Sequence, residues 1–129
     1  MNSNLKAALA VLVGVAIGVS GNTVARARQV KPPRAYVLAE PDVTDPATFQ
    51  KYAASVPGTL ALYGGHYLAR NGQVIPEEGE APKRSVIIEF DSLKKAQDWY
   101  NSPEYNKIKP IRFASAKTRL FIADGVPAE

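Results

Sequence analysis

Residues 85–100 read SVIIEFDSLKKAQDWY, a short strand-type run followed directly by a helical pattern. The β-branched residues of SVIIEF favour a strand, in which alternate side chains point to opposite faces. Asp91 or Ser92 is a suitable N-cap for the following segment, whose apolar residues recur at helical spacing. The stretch therefore predicts a strand that passes through a cap into an amphipathic helix.

Reading outwards from this stretch predicts the element order β-α-β-β-α-β. The first half should contain a strand over 35–40, a helix from Pro46 that Pro57-Gly58 ends, and a strand over 59–70 interrupted by Gly64-Gly65. The second half should contain an antiparallel partner strand over 85–90 and a helix after Asp91 or Ser92. A short helix after Ser102, which Pro110 ends or bends, and a strand over 118–123 should follow. This order is that of the ferredoxin-like α+β fold, with a four-stranded antiparallel sheet and its helices on one face.

The second face of such a sheet needs cover, and the chain offers no spare element to provide it. In 85–90, Ile87 and Glu89 fall on the side opposite Val86, Ile88 and Phe90. An apolar strand with one carboxylate on its second face fits a covered cavity better than open water. We therefore expect a homodimer in which two sheets pack face to face, a dimeric α/β barrel.

The first 27 residues have the pattern of an export leader. Lys6 precedes an apolar run over 7–19, and Ala25 and Ala27 provide the small residues of a cleavage site. We predict a signal peptide over 1–27, a Pro-containing linker over 28–34, one domain over 35–125 and a tail over 126–129. The predicted localisation is periplasmic or secreted. The alternative is an uncleaved leader that anchors the domain outside the cytoplasmic membrane.

Composition excludes several classes of function. The 129-residue chain has no cysteine, which rules out disulfides, thiolate nucleophiles and Cys-bound metals. Lys6 and Arg26 lie in the leader, so the formal net charge of +4 falls to +2 for the rest of the chain. The remaining basic residues form no cluster, so we expect no nucleic-acid partner. With a single histidine and no ligand spacing around it, we expect no metal and no cofactor.

Two residues are candidates for proton transfer. Glu89 is a carboxylate inside an apolar strand, where it is either paired or poised with a raised pKa, and Arg84 and Arg112 are its expected partners. His66 follows the double glycine, where backbone can approach a ligand closely, and histidine titrates near neutrality. The alternatives without a catalytic function are a structural ion pair for Glu89 and a partly exposed strand residue for His66.

Four further residues are candidates for substrate binding. Arg84 or Arg112 could hold an anionic group through two parallel hydrogen bonds. Trp99 and Tyr105 could form the wall of an apolar pocket, with the Tyr105 hydroxyl as its polar group. Core packing is the alternative for both aromatic residues, because such side chains bury large areas.

Two long stretches together resemble a known family. They are YVLAEPDVTDPATFQKYAASVPGTLALYGGHYLARNG, at 36–72, and IIEFDSLKKAQDWYNSPEYNKIKPIR, at 87–112. The chain is similar over 35–125 to the domain-of-unknown-function family numbered thirteen-thirty, of the dimeric α/β-barrel superfamily. The resemblance implies the ferredoxin-like fold and a dimer, but no reaction. Members often have Arg after the double glycine, where this chain has His66.

Two functions remain open from the sequence. The first is a cofactor-independent enzyme or binder of a small organic molecule, possibly carboxylated or aromatic, held between sheet and helices. The second is a non-enzymatic exported module that is structural or binds a partner, since no strong catalytic motif occurs.

Overall fold

The computed structural model describes residues 30–129. The predicted leader lies outside the described residues, as do Arg28 and Gln29 of the predicted linker. The elements in chain order are β1 (Ala35–Val43), α1 (Pro46–Ala61), β2 (His66–Ala69), β3 (Val86–Phe90), α2 (Leu93–Tyr100), α3 (Pro103–Ser115) and β4 (Ala116–Asp124).

The four strands form one antiparallel sheet in the order β2-β3-β1-β4. This is the ferredoxin-like α+β arrangement that the sequence predicted. The face that carries Val37, Ile88 and Phe90 packs against the helices, and these residues are at most 4% exposed. We call this the helix-side face, and the opposite one the outer face. The hydrophobic core lies wholly between the helix-side face and the three helices.

Helix α1 begins as predicted and ends later than predicted. The Asp45 carboxylate accepts a hydrogen bond from the Thr48 N–H, and Pro46 occupies the first turn. The helix then passes through Pro57 and Gly58 to Ala61, so the prediction that Pro57-Gly58 ends it was wrong. Two buried residues beyond Pro57 explain the continuation: Thr59 and Leu60 are 7% and 2% exposed, and their packing offsets the cost of the proline.

Strand β2 is consequently much shorter than the predicted 59–70, because residues 59–61 belong to α1. The double glycine lies in the turn before the strand and not within it. Gly64 has a φ of 70°, in the left-handed region that favours glycine. A Cβ on Gly65 would lie 2.5 Å from the Phe90 ring, so glycine here permits a close approach to the core.

The second half of the chain also departs from prediction at one proline. Ser92 and Ser102 cap α2 and α3, each accepting a hydrogen bond from a backbone N–H three residues on. Helix α3 continues through Pro110 to Ser115, so the predicted alternative in which Pro110 ends this helix was wrong. Pro110 is exposed, while Tyr105, Arg112 and Ser115 on the same helix are buried.

Strand β1 extends through Pro41, beyond the predicted end at Glu40. Pairing with β3 stops at Ala39, whereas pairing with β4 runs from Ala35 to Val43. Pro41 therefore lies where β1 has a neighbour on one side only, a position that tolerates the missing N–H. Within residues 30–129, the helices are too short and too polar to cross a membrane.

Candidate functional site

The sheet divides the predicted site residues into two groups. Glu89 and His66 lie on the outer face, opposite each other in the β2–β3 register. Arg84, Arg112 and Trp99 line a cavity on the helix side. The structure therefore does not bring the two proton-transfer candidates and the predicted binding arginines into one site.

Glu89 is paired, but not with the expected arginines. Its Oε1 accepts a hydrogen bond from Arg34 at 2.9 Å and lies 3.1 Å from Nε2 of His66. The same Arg34 guanidinium reaches Asp91 at 3.2 Å. The prediction that Arg84 or Arg112 pairs with Glu89 was wrong, because both arginines lie across the sheet from it.

Arg34, which the sequence assigned to the linker, is thus the partner that sequence reasoning missed. Its carbonyl also accepts a hydrogen bond from the Gly125 N–H at 2.7 Å. Strand alternation could have found it, because position 34 has the same parity as Tyr36, which faces Glu89 across β1 and β3.

The cavity on the helix side has a volume of about 210 Å³. Its floor is formed by β1, β3 and β4 and its roof by α1, with side chains from α2 and α3 closing one side. The apolar lining comes mainly from the sheet and α1, namely Val37, Ala39, Pro41, Phe49, Val56, Val86, Ile88 and Leu120. A cavity of this size suits a small organic molecule rather than a large cofactor.

Three arginines line this cavity: Arg70, Arg84 and Arg112. The lining contains no Asp, Glu or His. Among the described residues, none of the three arginines forms a salt bridge within 4.0 Å. The cavity is therefore a cationic site in which every charged group is a hydrogen-bond donor.

Arg112 is the innermost of these arginines. It is 4% exposed, and its Nε has no hydrogen-bond partner in the described part of the protein. The Thr118 hydroxyl on β4 also lines the cavity and is likewise buried without a partner. Buried polar atoms are normally paired, so these two atoms are exceptions to the usual pattern.

Aromatic residues hold Arg112 in place. Its guanidinium carbon lies 6.0 Å from the centre of the Tyr52 ring and 4.9 Å from that of Phe113. The hydroxyls of Tyr52 and Tyr105 are 2.7 Å apart. Burial raises the pKa of Tyr52 far above its ordinary value, and the neighbouring Tyr105 raises it further, so both phenols are protonated at neutral pH.

Of the two predicted aromatic wall residues, one lines the cavity and the other supports it. Trp99 is 1% exposed and donates from Nε1 to the Thr59 hydroxyl at 2.9 Å. Tyr105 is fully buried behind Trp99, with ring centres 4.0 Å apart, and is not part of the lining. Its place in the cavity wall is taken by Tyr52 of α1, which was not among the predicted site residues.

Arg70 and Arg84 are solvent-exposed residues of the lining. The guanidinium carbon of Arg84 lies 5.6 Å from the centre of the Phe49 ring, and that of Arg70 lies 4.5 Å from that of Tyr67. Stacking on an aromatic ring restricts an arginine side chain without using its N–H groups. Both residues can therefore still bind an anion.

Comparison with known proteins places the chain in a family. A family model described as Domain of unknown function (DUF1330) matches residues 34–126. The chain belongs to this family. Membership in the DUF1330 family agrees with the sequence resemblance and brings no assigned reaction. No curated protein matches the chain.

Solved structures similar to this DUF1330 chain share its fold at low sequence identity. A protein of unknown function from Rhodopseudomonas palustris is 14% identical with a TM-score of 0.54, covering 75% of this chain and 85% of that one. SnoaB, a cofactor-independent oxygenase from Streptomyces nogalater, is 10% identical with a TM-score of 0.55, covering 74% and 96%. A hypothetical protein from Arabidopsis thaliana is 14% identical with a TM-score of 0.54, covering 78% and 94%.

The described residues of the DUF1330 chain contain no group of three or more acidic or histidine side chains placed to bind a metal ion. What the helix-side cavity offers chemically is hydrogen-bond donation and positive charge within an apolar, aromatic wall.

Proposed function

We propose that the helix-side cavity binds a small organic anion, a molecule with an apolar or aromatic body and a carboxylate directed at Arg112. The observation that carries this proposal is the buried Arg112, which has no acidic partner among the described residues. A guanidinium cannot lose its charge in a protein, and an unpaired buried charge is costly. A bound carboxylate would pair with it and would also accept from the Thr118 hydroxyl.

The chemistry of the lining supports binding more directly than catalysis. Nucleophilic or general-base catalysis needs a group that accepts a proton, and the lining holds no Asp, Glu or His. The proposed catalytic residues Glu89 and His66 lie on the other side of the sheet. SnoaB is described as a cofactor-independent oxygenase, but at 10% identity the similarity supports the fold and not a shared reaction.

Titration with a simple carboxylate tests the proposal. Hexanoate is the probe, hexanamide is its uncharged counterpart, and Trp99 is a built-in reporter because it is the chain's one tryptophan and lines the cavity. We expect hexanoate to change the Trp99 fluorescence and hexanamide to bind at least about tenfold more weakly, the value of one charge-assisted hydrogen bond. Equal affinity for the two would overturn the proposal.

Two variants locate the carboxylate. Arg112→Gln should weaken hexanoate binding by about tenfold or more, whereas Lys107→Gln, an equal loss of charge at an exposed position on the same helix, should not. Because Arg112 is buried, its replacement can also disturb folding. Thr118→Val keeps the side-chain volume and removes only the unpaired hydroxyl, so it should fold and bind hexanoate more weakly.

We also propose that the protein is a homodimer that pairs through the outer face. The support is the pattern of that face: Tyr36, Leu38, Ile87 and Phe121 form an apolar centre in the strand register, and Phe121 is 43% exposed. Ion pairs border it, with Arg119 donating to both carboxylate oxygens of Glu40 at 2.9 and 2.8 Å. An apolar centre with a charged border is typical of a protein–protein interface.

Light scattering after size-exclusion chromatography tests the dimer at micromolar concentration. Phe121→Asp should yield monomers because it places a charge in the centre of the outer face. Leu62→Asp is the matched control, since Leu62 is 64% exposed next to α1, on the helix side. A wild-type protein that is monomeric would contradict the proposal.

Export remains a further proposal, supported by the leader pattern of residues 1–27. N-terminal sequencing of protein recovered from outside the cytoplasm should give Arg28 as the first residue. Recovery from the membrane fraction with Met1 intact would instead show the uncleaved anchor.

A further inference from the structure

The three cavity arginines are not equivalent in position. Arg112 is buried at the inner part of the cavity, beside β4, whereas Arg70 and Arg84 are exposed beside β2 and β3. The β2–β3 register pairs Ala69 with Ile87, which places Arg70 and Arg84 at the same end of this hairpin. Their charges thus form one exposed cationic pole, separate from that of Arg112.

The strand register gives the width of the cavity floor. Thr118, the hydroxyl partner proposed for the inner carboxylate, pairs with Pro41 of β1. Ala39 of β1 pairs with Val86 of β3 on one side and with Leu120 of β4 on the other, so Arg84 and Thr118 each lie two residues before one of these partners. Since adjacent strands are spaced about 4.8 Å apart, the backbones of Val86 and Leu120 are roughly 10 Å apart across the floor of the cavity.

Both poles face the same apolar space. Arg84 has the strand parity of Val86 and Ile88, which line the cavity, and its guanidinium lies against Phe49 of α1. Between the poles the floor is apolar, formed by Ala39, Val86 and Leu120. No acidic side chain of the lining neutralises either pole.

Resting on the proposed anion site, we infer that the natural ligand of this cavity is a dianion with an apolar middle, of the dicarboxylate class. One carboxylate pairs with Arg112 and Thr118. The second pairs with Arg84 and Arg70 at the solvent-exposed end. Arg84 and Arg70 are then specificity-determining residues, because they distinguish a dianion from a monoanion of the same body.

Matched ligand pairs test this inference on the full-length protein. Adipate and hexanoate have the same six-carbon chain and differ in the second carboxylate, and terephthalate and benzoate form the corresponding aromatic pair. Isothermal titration calorimetry should show at least one dianion binding about tenfold or more tightly than its monoanion. The double variant Arg70→Gln/Arg84→Gln should lose that advantage, so that each dianion binds no more tightly than its monoanion.

The outcomes separate this inference from the proposal on which it rests. If hexanoate binds in an Arg112-dependent manner but neither dianion gains affinity, the inference is wrong and the proposed function stands. If the dianion advantage persists in the double variant, the second carboxylate does not bind at Arg70 and Arg84, which also overturns the inference. If none of the four carboxylates binds, both proposals fall. If Lys107→Gln lowers the affinity for hexanoate as much as Arg112→Gln does, the loss depends on net charge alone. That result would count against specific pairing of the carboxylate with Arg112.

Discussion

The hydroxyl oxygens of Tyr52 and Tyr105 lie 2.7 Å apart in the protein interior and join α1 to α3 behind the cavity. Both rings are at most 9% exposed. Because Arg112 packs against the Tyr52 ring, this contact fixes the part of the cavity wall that presents the buried guanidinium.

Removing one hydroxyl of this pair should destabilise the fold. Tyr105→Phe leaves the Tyr52 hydroxyl without its buried partner, which should lower the free energy of unfolding by about 1–3 kcal/mol. The double variant Tyr52→Phe/Tyr105→Phe should cost less than the sum of the single variants, since neither group is then left unpaired. Urea denaturation of the four proteins measures this coupling, and strict additivity would argue against the bond.

The same tyrosine pair predicts a loss of stability at alkaline pH. Burial raises the pKa of Tyr52 well above its ordinary value of 10.0, so the folded protein keeps this proton after the unfolded chain has released it. The contribution of Tyr52 to the free energy of unfolding is fully present below pH 10 and is lost as the pH rises further. Above pH 10 the free energy of unfolding should fall by roughly 1.4 kcal/mol per pH unit for each such tyrosine.

Tyr52→Phe should make that alkaline slope shallower. Val56→Ala provides the control, because Val56 is 3% exposed and its truncation lowers stability without changing an ionisable group. Urea unfolding between pH 8 and about pH 11 gives the slopes. An identical slope in wild type and Tyr52→Phe would show that Tyr52 ionises as readily in the folded protein as in the unfolded chain.

Two glycine substitutions should change the free energy of unfolding in opposite directions. Gly65→Ala places a methyl group 2.5 Å from the Phe90 ring, so it should destabilise by about 1–3 kcal/mol through overpacking. Gly58→Ala meets no atom within 4 Å and lies inside α1, so it should stabilise by about 0.4–1 kcal/mol. Thermal unfolding reports both, and a neutral Gly65→Ala would contradict the close approach.

The outer-face pair should be dispensable for ligand binding. Glu89→Gln and His66→Ala alter a cluster that the sheet separates from the cavity, so the affinity for hexanoate should stay within about twofold of wild type. Arg112→Gln is the contrasting variant, because Arg112 lines the cavity and is the proposed partner of the carboxylate. A tenfold loss in Glu89→Gln would connect the two faces and restore the single site that the sequence suggested.

The sequence could have assigned Arg84 and Glu89 to opposite faces of the sheet. Strand alternation gives Arg84 the parity of Val86 and Ile88, and gives Glu89 the opposite parity. Carried back from β3 to Arg84, that rule argues against a direct pair between Arg84 and Glu89. Expecting the pair followed from charge complementarity, which carries no information about the face of a sheet on which a side chain lies.

The sequence by itself determined the order of elements, the helix starts at Pro46 and after Ser102, and the alternation that builds the helix-side face of β3. These are local properties, set by backbone conformation and by the spacing of apolar residues over a few positions. They were sufficient for the ferredoxin-like fold, because few topologies accommodate that order of strands and helices.

Only the tertiary structure decided which residues meet. Arg112 from α3, Thr118 from β4 and Tyr52 from α1 converge because the strand order and the packing of α1 on α3 bring distant segments together. The passage of α1 through Pro57 was decided in the same way, since the burial of Thr59 and Leu60 outweighed a local signal to stop. Partner choice and helix ends depend on contacts between residues far apart in the chain, and the short-range spacing in a sequence does not specify those contacts.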